Sequence, residues 1–425
     1  MKGEPAGWVC CQIGAREHYA IPRVFHTQCV LRLLFTDVWV KPASPIGMLK
    51  NSLRERYHPQ LADARVKSAT GSFLGFEASA RLKGLGGWDR IIARNQWFQK
   101  QAVRRLEEVE AEAVGGKPPA LFAYSYAAGE ILRWARDRGW RTVLGQIDPG
   151  PLMGRLIRQL EQQNPEWGGG SPTPPETYWQ NWRRECEFAD AILVNSEWSR
   201  EELVHERMAA SKIKVVPLAF DMPPGAAAFS RAYPATFSCE RPLRVLFLGQ
   251  VNLLKGIAAL AHAAERLKGE PVEFRVVGPV HVQIPEQFRG LSSLRFLGPV
   301  ARSAAAEHFR QADVFLFPTF CDGFGLTQLE AQAWRLPIIA SPFCGEVVEH
   351  GRNGVILGSV TGETIAAAIL SLLKQPSELA RMADASEPGM LRAHQASTRK
   401  KIGQFTLARL AENLTALQAE LLEEN

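Results

Sequence analysis

Short apolar, β-branched runs alternate with helix-length segments through the second half of this chain, and that alternation leaves few folds open. Leu243 to Gly249, Val272 to Gly278, Val314 to Pro318 and Leu336 to Ser341 read as strands. Between and after them, Ile257 to Leu267, Ser303 to Ala312, Leu326 to Trp334 and Glu363 to Leu373 read as helices. Continuous apolar strands are buried on both faces, and parallel strands need a crossover that a helix supplies. The expectation is an α/β domain with a doubly wound parallel sheet.

The first half repeats the rhythm less cleanly. Trp8 to Ile13, Ala120 to Tyr124, Thr142 to Ile147, Ala191 to Asn195 and Ile213 to Pro217 are its expected strands, with helices at Ala127 to Arg138 and Ser199 to Arg207. Asp221 to Arg241 holds Pro223, Pro224, Gly225, Ala226 to Ala228 and Pro234, a composition suited to an exposed connector. Two Rossmann-like domains facing a cleft follow: 1–220, a linker at 221–241, a second domain at 242–400, and a terminal helix at 401–425 that returns to the first domain. Ala43 to Lys117 is expected as helices and loops inserted in the first domain. Gly168 to Pro175 is expected as a mobile surface loop, with Trp167 and Trp179 beside it either packed or open to a sugar or lipid.

At 425 residues, with 46% hydrophobic and 22% charged side chains, the chain has ordinary globular usage for two or three domains. No apolar run approaches the ~20 residues of a membrane span, and the first twenty residues lack the apolar core of a secretory signal; a soluble, cytoplasmic protein is expected. Seven cysteines without a Cys-x-x-Cys pair encode neither a disulfide framework nor a zinc ribbon. Residues 1 to 100 hold 15 Lys plus Arg against 7 Asp plus Glu, so a chain of net charge +6 carries its basicity in the first quarter. That suits either a solvated surface or an anionic partner, including an anionic membrane. Interleaved aromatic platforms and a recognition helix are missing, so nucleic acid is not an expected partner.

Chemistry concentrates between Asp313 and Glu330. A buried strand ends at Pro318, glycines at 323 and 325 let backbone approach a ligand, and a helix begins near Gly325, whose positive end favours a phosphate or pyrophosphate. Asp322 and Glu330, separated by seven residues, flank this pocket; Asp322 is alternatively a helix cap and Glu330 an exposed helical carboxylate. A second strand ends at Gly249, followed by Gln250 and by Lys255 at the next helix start, where a lysine either neutralises a phosphate or is merely solvated.

Together these stretches resemble the retaining glycosyltransferases of the GT-B fold, family 4, most specifically over Ala312 to Ser341, Gly345 to Gly354, Gly249 to Gly256 and Ala189 to Glu197. The resemblance implies that Lys255 holds the diphosphate of a nucleotide sugar, Asp322 its sugar hydroxyls and Glu330 its ribose. It further implies a phosphate site from Gly323, Phe324, Gly325, Leu326 and Thr327, with Gly249 and Gln250 nearby, and a base site at Gly278 and Phe296 to Gly298. Asp148 takes the place of the family's sugar-facing histidine, and Gly14 and His18, after the first strand, are acceptor-side candidates. Gln250 replaces the usual arginine and Asp322 the commoner glutamate.

The implied activity is transfer of a hexose-type sugar to a hydroxyl of a glycan, glycolipid or small molecule. It is expected to proceed with retention by front-face attack, with the nucleotide sugar as co-substrate and neither cofactor nor metal. A location at the inner membrane face is compatible with it. A nucleotide-sugar epimerase of the same architecture, or a non-catalytic nucleotide-sugar binding partner, remains open at this point. A dehydrogenase is disfavoured by the lack of a Gly-x-Gly-x-x-Gly run after the first strand.

Overall fold

The computed structural model describes residues 7–41, 44, 53, 55–112, 117–168, 173–386 and 404–423. Two parallel sheets organise them. The first contains β1 (Trp8–Gln12), β2 (Leu31–Thr36), β3 (Val66–Ser68), β4 (Ala120–Tyr124), β5 (Thr142–Gly145), β6 (Ala191–Val194) and β7 (Ile213–Val215), in the order β3-β2-β1-β4-β5-β6-β7. The second contains β8 (Leu243–Leu248), β9 (Val272–Val277), β10 (Leu294–Gly298), β11 (Val314–Phe317), β12 (Ile338–Ala340) and β13 (Gly354–Ile356), in the order β10-β9-β8-β11-β12-β13.

Helices of the first half are α1 (Ala20–Thr27), α2 (Thr70–Leu82), α3 (Gly87–Glu112), α4 (Gly129–Arg136), α5 (Leu152–Gln163), α6 (Glu176–Phe188) and α7 (Glu197–His205). Those of the second are α8 (Ile257–Arg266), α9 (Glu286–Arg289), α10 (Arg302–Gln311), α11 (Leu326–Ala333), α12 (Gly362–Lys374) and α13 (Pro376–Ala385), followed by α14 (Leu407–Glu423).

Every residue of β1 is buried because both sheet faces are covered: Val9 and Cys11 enter one apolar layer, Trp8 and Cys10 the other. β8 repeats this, with Val245 and Phe247 on one side and Leu246 on the other. Strand order reverses between β1 and β4 and again between β8 and β11. Open parallel sheets bind ligands beyond the carboxyl ends of their strands at that reversal, so the loops after β1, β4, β5, β8 and β11 are where chemistry is to be sought.

Several elements depart from the sequence expectation. β2, β3, β10 and β13 join the sheets without having been expected. The 43–117 segment is not only helix and loop, since β3 pairs with β2 at Leu34↔Val66; α3 packs on β2 through Phe98 and Phe35, ring centroids 5.3 Å apart, and α2 on α3 through Phe73 and Trp97 at 5.8 Å. Residues 169–172 of the expected surface loop lie outside the described residues. Trp167 is fully buried and stacks on Phe288 of the second half, ring centroids 5.4 Å apart, and Trp179 is buried as well. α5 belongs to the same layer, with Leu160 in the core of the second sheet.

The linker has no regular element, yet it is strapped rather than free. The Arg231 guanidinium donates to the carbonyls of Phe309 (2.8 Å) and Trp334 (2.7 Å), Tyr233 OH to the Asp313 carbonyl (2.9 Å), and Arg241 pairs with Asp313 at 2.6 Å. Guanidinium groups that satisfy the carbonyl ends of α10 and α11 hold 229–241 onto the second domain. α14 lies on the first domain: Leu410, Leu414, Leu417 and Leu421 enter its core, and Trp8 Nε1 donates to Gln418 at 3.0 Å. Just before α14, Phe220 N donates to the Phe405 carbonyl at 2.8 Å, so the outgoing and returning segments are bonded to each other.

Candidate functional site

At the carboxyl ends of the two sheets lies a cavity of about 320 Å³ lined from both domains. The first domain supplies Arg16, Glu17, Ile147 and Asn195; the second supplies Gly249, Lys255, Asp322, Phe324 and the start of α11. Glycine is required at 325 on two counts. Its φ is +81°, and a Cβ there would stand 2.5 Å from the Phe317 ring. No side chain caps this helix, so the N–H groups of Leu326 and Thr327 in its first turn have no preceding helical carbonyl, and both residues line the cavity.

Lys255 ends a one-turn helix whose cap is Asn252, the side chain accepting from Lys255 N at 2.9 Å. Its ammonium is 2.5 Å from Asp322 Oδ2 and 3.3 Å from the Cys321 carbonyl. Asp322 therefore does not cap α11; its other oxygen accepts from Phe324 N at 3.1 Å, closing a small turn. One donor of the ammonium is uncommitted by these contacts, since –NH₃⁺ carries three.

Of the residues singled out from sequence, Lys255, Asp322, Phe324, Gly325, Leu326, Thr327 and Gly249 line this cavity. Gly323 instead meets the first domain: Ser196 Oγ donates to its carbonyl at 2.9 Å, and a Cβ would fall 2.1 Å from the Ile147 carbonyl. Gly278 packs on Gly249, leaving no room for a Cβ, and its N–H donates to Gly298 at 2.9 Å. Gln250 is exposed and Glu330 half-buried; neither lines the cavity.

A smaller recess of about 120 Å³ adjoins the first, sharing Arg16 and Ile147 with it. Asp148 is here, its carboxylate accepting from Tyr126 OH and from Gly150 N (2.9 Å). Burial pushes its pKa up, the Tyr126 and Gly150 bonds and the Arg16 charge oppose this, and the charge of Asp322 adds to it; Gly323, next to Asp322, packs so closely that a Cβ there would stand 3.4 Å from Asp148 Cα.

The acceptor-side candidates Gly14 and His18 are set back from both cavities. Gly14 is buried and donates to Asp37 Oδ1 at 2.8 Å, and His18 lines neither cavity. It is Arg16 and Glu17, between them, that face the cleft. Glu17, His18 and Tyr19 hold φ of 51°, 52° and 58°, three consecutive left-handed residues whose strain turns the Arg16 and Glu17 side chains inward. No local sequence signal announces such a turn. Burial pushes the Glu17 carboxyl up to about 7, against the Tyr124 hydroxyl and Arg16, which pull it down. Arg94 of α3 and Ser125 after β4 were also missed, being far apart in sequence and joined only by the fold.

Comparison with known proteins matches residues 242–375 to the family model "Glycosyl transferases group 1". The D-inositol 3-phosphate glycosyltransferase of Geodermatophilus obscurus is 26% identical over 381 residues, covering 84% of this chain and 78% of that one. Its namesake from Mycobacterium sp. (strain KMS) is 31% identical over 290 residues, 64% of this chain and 63% of that one. Among solved structures, Anabaena Alr3699/HepE in complex with UDP superposes with a TM-score of 0.61 at 13% identity, over 97% of this chain and all of that one. The sucrose-phosphate synthase of Thermosynechococcus elongatus gives 0.61 at 15% identity over 99% of this chain and all of that one. With the two parallel sheets, these likenesses establish the GT-B fold.

Proposed function

We propose, from the premise that this chain is a group 1 glycosyltransferase, that it moves a hexose-type sugar from a nucleoside diphosphate sugar to an acceptor hydroxyl with retention and without a metal. The observation that carries this reading is the convergence of Lys255, Asp322 and the first turn of α11 on one interdomain cavity. Complexes of the structural neighbour with UDP and with UDP-glucose support the donor class.

In the reaction the bond from the anomeric carbon to the phosphate oxygen breaks and its electron pair goes to the diphosphate. The acceptor oxygen bonds the same face of that carbon, and its proton passes to the departing phosphate oxygen. Lys255, through its remaining donor, and the N–H groups of Leu326 and Thr327 stabilise the negative charge as it grows. Asp322, held by Lys255 and Phe324 N, accepts hydroxyls of the donor sugar. Dipoles and a lysine thus take the place of a divalent ion, and no cofactor is needed. Glycan, glycolipid and small-molecule acceptors all fit this chemistry, and association with an anionic membrane face rests on the basic first hundred residues.

Incubation with UDP-, GDP- and ADP-sugars in excess EDTA tests the reading. Release of nucleoside diphosphate, with an acceptor product of unchanged anomeric configuration, is expected. Saturable donor binding with no release in the presence of an acceptor extract would overturn it, and a changed, unattached nucleotide sugar would point to epimerisation.

A further inference from the structure

One face of α6 meets the loop after β4. Tyr178, Trp182 and Glu185 stand at i, i+4 and i+7 of that helix, so they project from the same side. Glu185 is only 2% exposed, and its carboxylate is met by main-chain N–H groups. Oε1 accepts from Ala128 N at 2.8 Å and Gly129 N at 3.1 Å, capping α4, whose own cap residue offers no side-chain bond. A cap needs no more than that. Oε2 nevertheless takes Tyr126 N at 2.6 Å, ahead of the helix, where the tyrosine holds φ of +73°. A left-handed tyrosine persists only where its surroundings hold it. Tyr178 completes the grip, stacking on the Tyr126 ring with centroids 4.8 Å apart.

What is held so firmly is a hydroxyl aimed at Asp148. Tyr126 OH donates to Asp148 Oδ1, which also accepts from Gly150 N at 2.9 Å and from Gln146 Nε2 at 3.3 Å. Gln146 donates to the Asp148 carbonyl at 2.8 Å as well, and its Oε1 accepts from Trp182 Nε1 at 2.9 Å. Both arms begin on α6, one running through Glu185 and Tyr126, the other through Trp182 and Gln146. Among the described residues these side-chain bonds all end on Oδ1, so Oδ2 stays uncommitted on the wall of the smaller recess. A carboxylate with one oxygen fixed three ways and the other open is set to accept a bond from a bound molecule.

We infer that Asp148 is preorganised to accept a substrate hydroxyl through Oδ2, and that Glu185, Trp182, Tyr126 and Gln146 are its positioning residues. Tyr126 OH favours the ionised carboxylate by donating to it, and Glu185 keeps Tyr126 in place. This rests on the glycosyl-transfer reading and adds to it a support that reaches back to a helix behind the cleft.

Other titratable groups surround Asp148. Arg16, Arg94, Tyr124 and Tyr178 line the recess with it, Asp322 and Cys321 belong to the second domain, and Glu17 lies beside Arg16. Arg16 favours the ionised carboxylate and Asp322 opposes it. Tyr126→Phe leaves every one of these groups in place and removes a single hydroxyl.

A pH profile of turnover tests the assignment, with affinity for UDP, GDP or ADP, whichever the unaltered chain releases, measured alongside by calorimetry. Losing one hydrogen bond to a charged group, Tyr126→Phe is expected to lower kcat about tenfold and to move the acid limb up by about one pH unit. The sign follows because the phenol no longer offsets burial, so Asp148 takes up its proton at higher pH. In an Asp148→Asn background the same substitution should change nothing further. Burial pushes the Glu185 carboxyl up to about 7, so Glu185→Gln is compared above that pH, where the native group is ionised. Its amide nitrogen cannot accept from Tyr126 N, and a kcat loss of about tenfold is expected there too. Nucleotide affinity should be unchanged in both variants, which also shows that they are folded.

An unmoved acid limb and normal kcat in Tyr126→Phe, or a Glu185→Gln loss that falls equally on nucleotide affinity, would reduce the network to packing and overturn the inference. Failure of the unaltered chain to release nucleoside diphosphate from any nucleotide sugar would instead remove the transfer reading on which it rests.

Discussion

Lys255 and Asp322 form one unit, since each is the other's ion-pair partner on the wall of the interdomain cavity. Lys255→Ala and Asp322→Ala are each expected to lower turnover by at least ~100-fold, the loss of a preorganised electrostatic contact. The double variant should cost little more than either single one, because the second substitution removes a group already misplaced. Steady-state rates of nucleoside diphosphate release check both statements.

Glu17 gives a pH signature. A solvated glutamate ionises near 4.5, whereas burial holds this one protonated up to about 7. The folded state therefore binds the proton more tightly than the unfolded one. The group's contribution to stability falls as pH climbs from 4.5 to 7, and above that an anion stands in the interdomain cavity. Affinity for a nucleotide sugar, whose esterified phosphates do not titrate in this range, should weaken as pH rises through 7, and Glu17→Gln should flatten that profile in a binding titration. Asp322 and Lys255 were legible in the sequence because each follows a strand and stands beside a glycine within one short motif. Arg16, Arg94 and Ser125 were not, because they come from three separate elements and no periodicity links them.

Among the elements, α11 depends on the glycine that opens it. Gly325 combines φ of +81° with a Phe317 ring where a Cβ would sit, while Gly351, at +74°, has open space around it. An alanine at 351 should cost only the ~1–2 kcal/mol of left-handed backbone. At 325 the clash adds to this, and a loss of roughly 2–4 kcal/mol is expected, together with weakened donor binding as the helix start shifts. Thermal denaturation of Gly325→Ala beside Gly351→Ala measures the difference. The strands that carry this helix, β8 and β11, were plain as apolar runs buried on two faces. β3, β10 and β13 lie at or near sheet edges and run three to five residues, too short for a period to register. Their place in the sheets comes from pairing, not from local pattern.

At the scale of the whole molecule, the first domain is completed by residues from the far end of the chain. Leu414 is 1% exposed between α14 and the first sheet. Leu414→Ala should cost about 2–5 kcal/mol, as for other buried leucines, and chemical denaturation should place that loss in the unfolding of the first domain. Sequence pattern anticipated two domains, and composition suggested a loose connector. It did not foresee that Arg231, Tyr233 and Arg241 would clamp that connector to the second domain, since their partners are main-chain carbonyls and an aspartate about seventy to a hundred positions onward.

The two segments that cross between the domains are bonded where Phe220 N meets the Phe405 carbonyl, and Phe405 in turn rests on Phe324, ring centroids 5.5 Å apart. Phe324 also lines the interdomain cavity, so the wall of that cavity leans directly on the returning strand of chain, and a Phe405→Ala substitution far from it in sequence should loosen that wall.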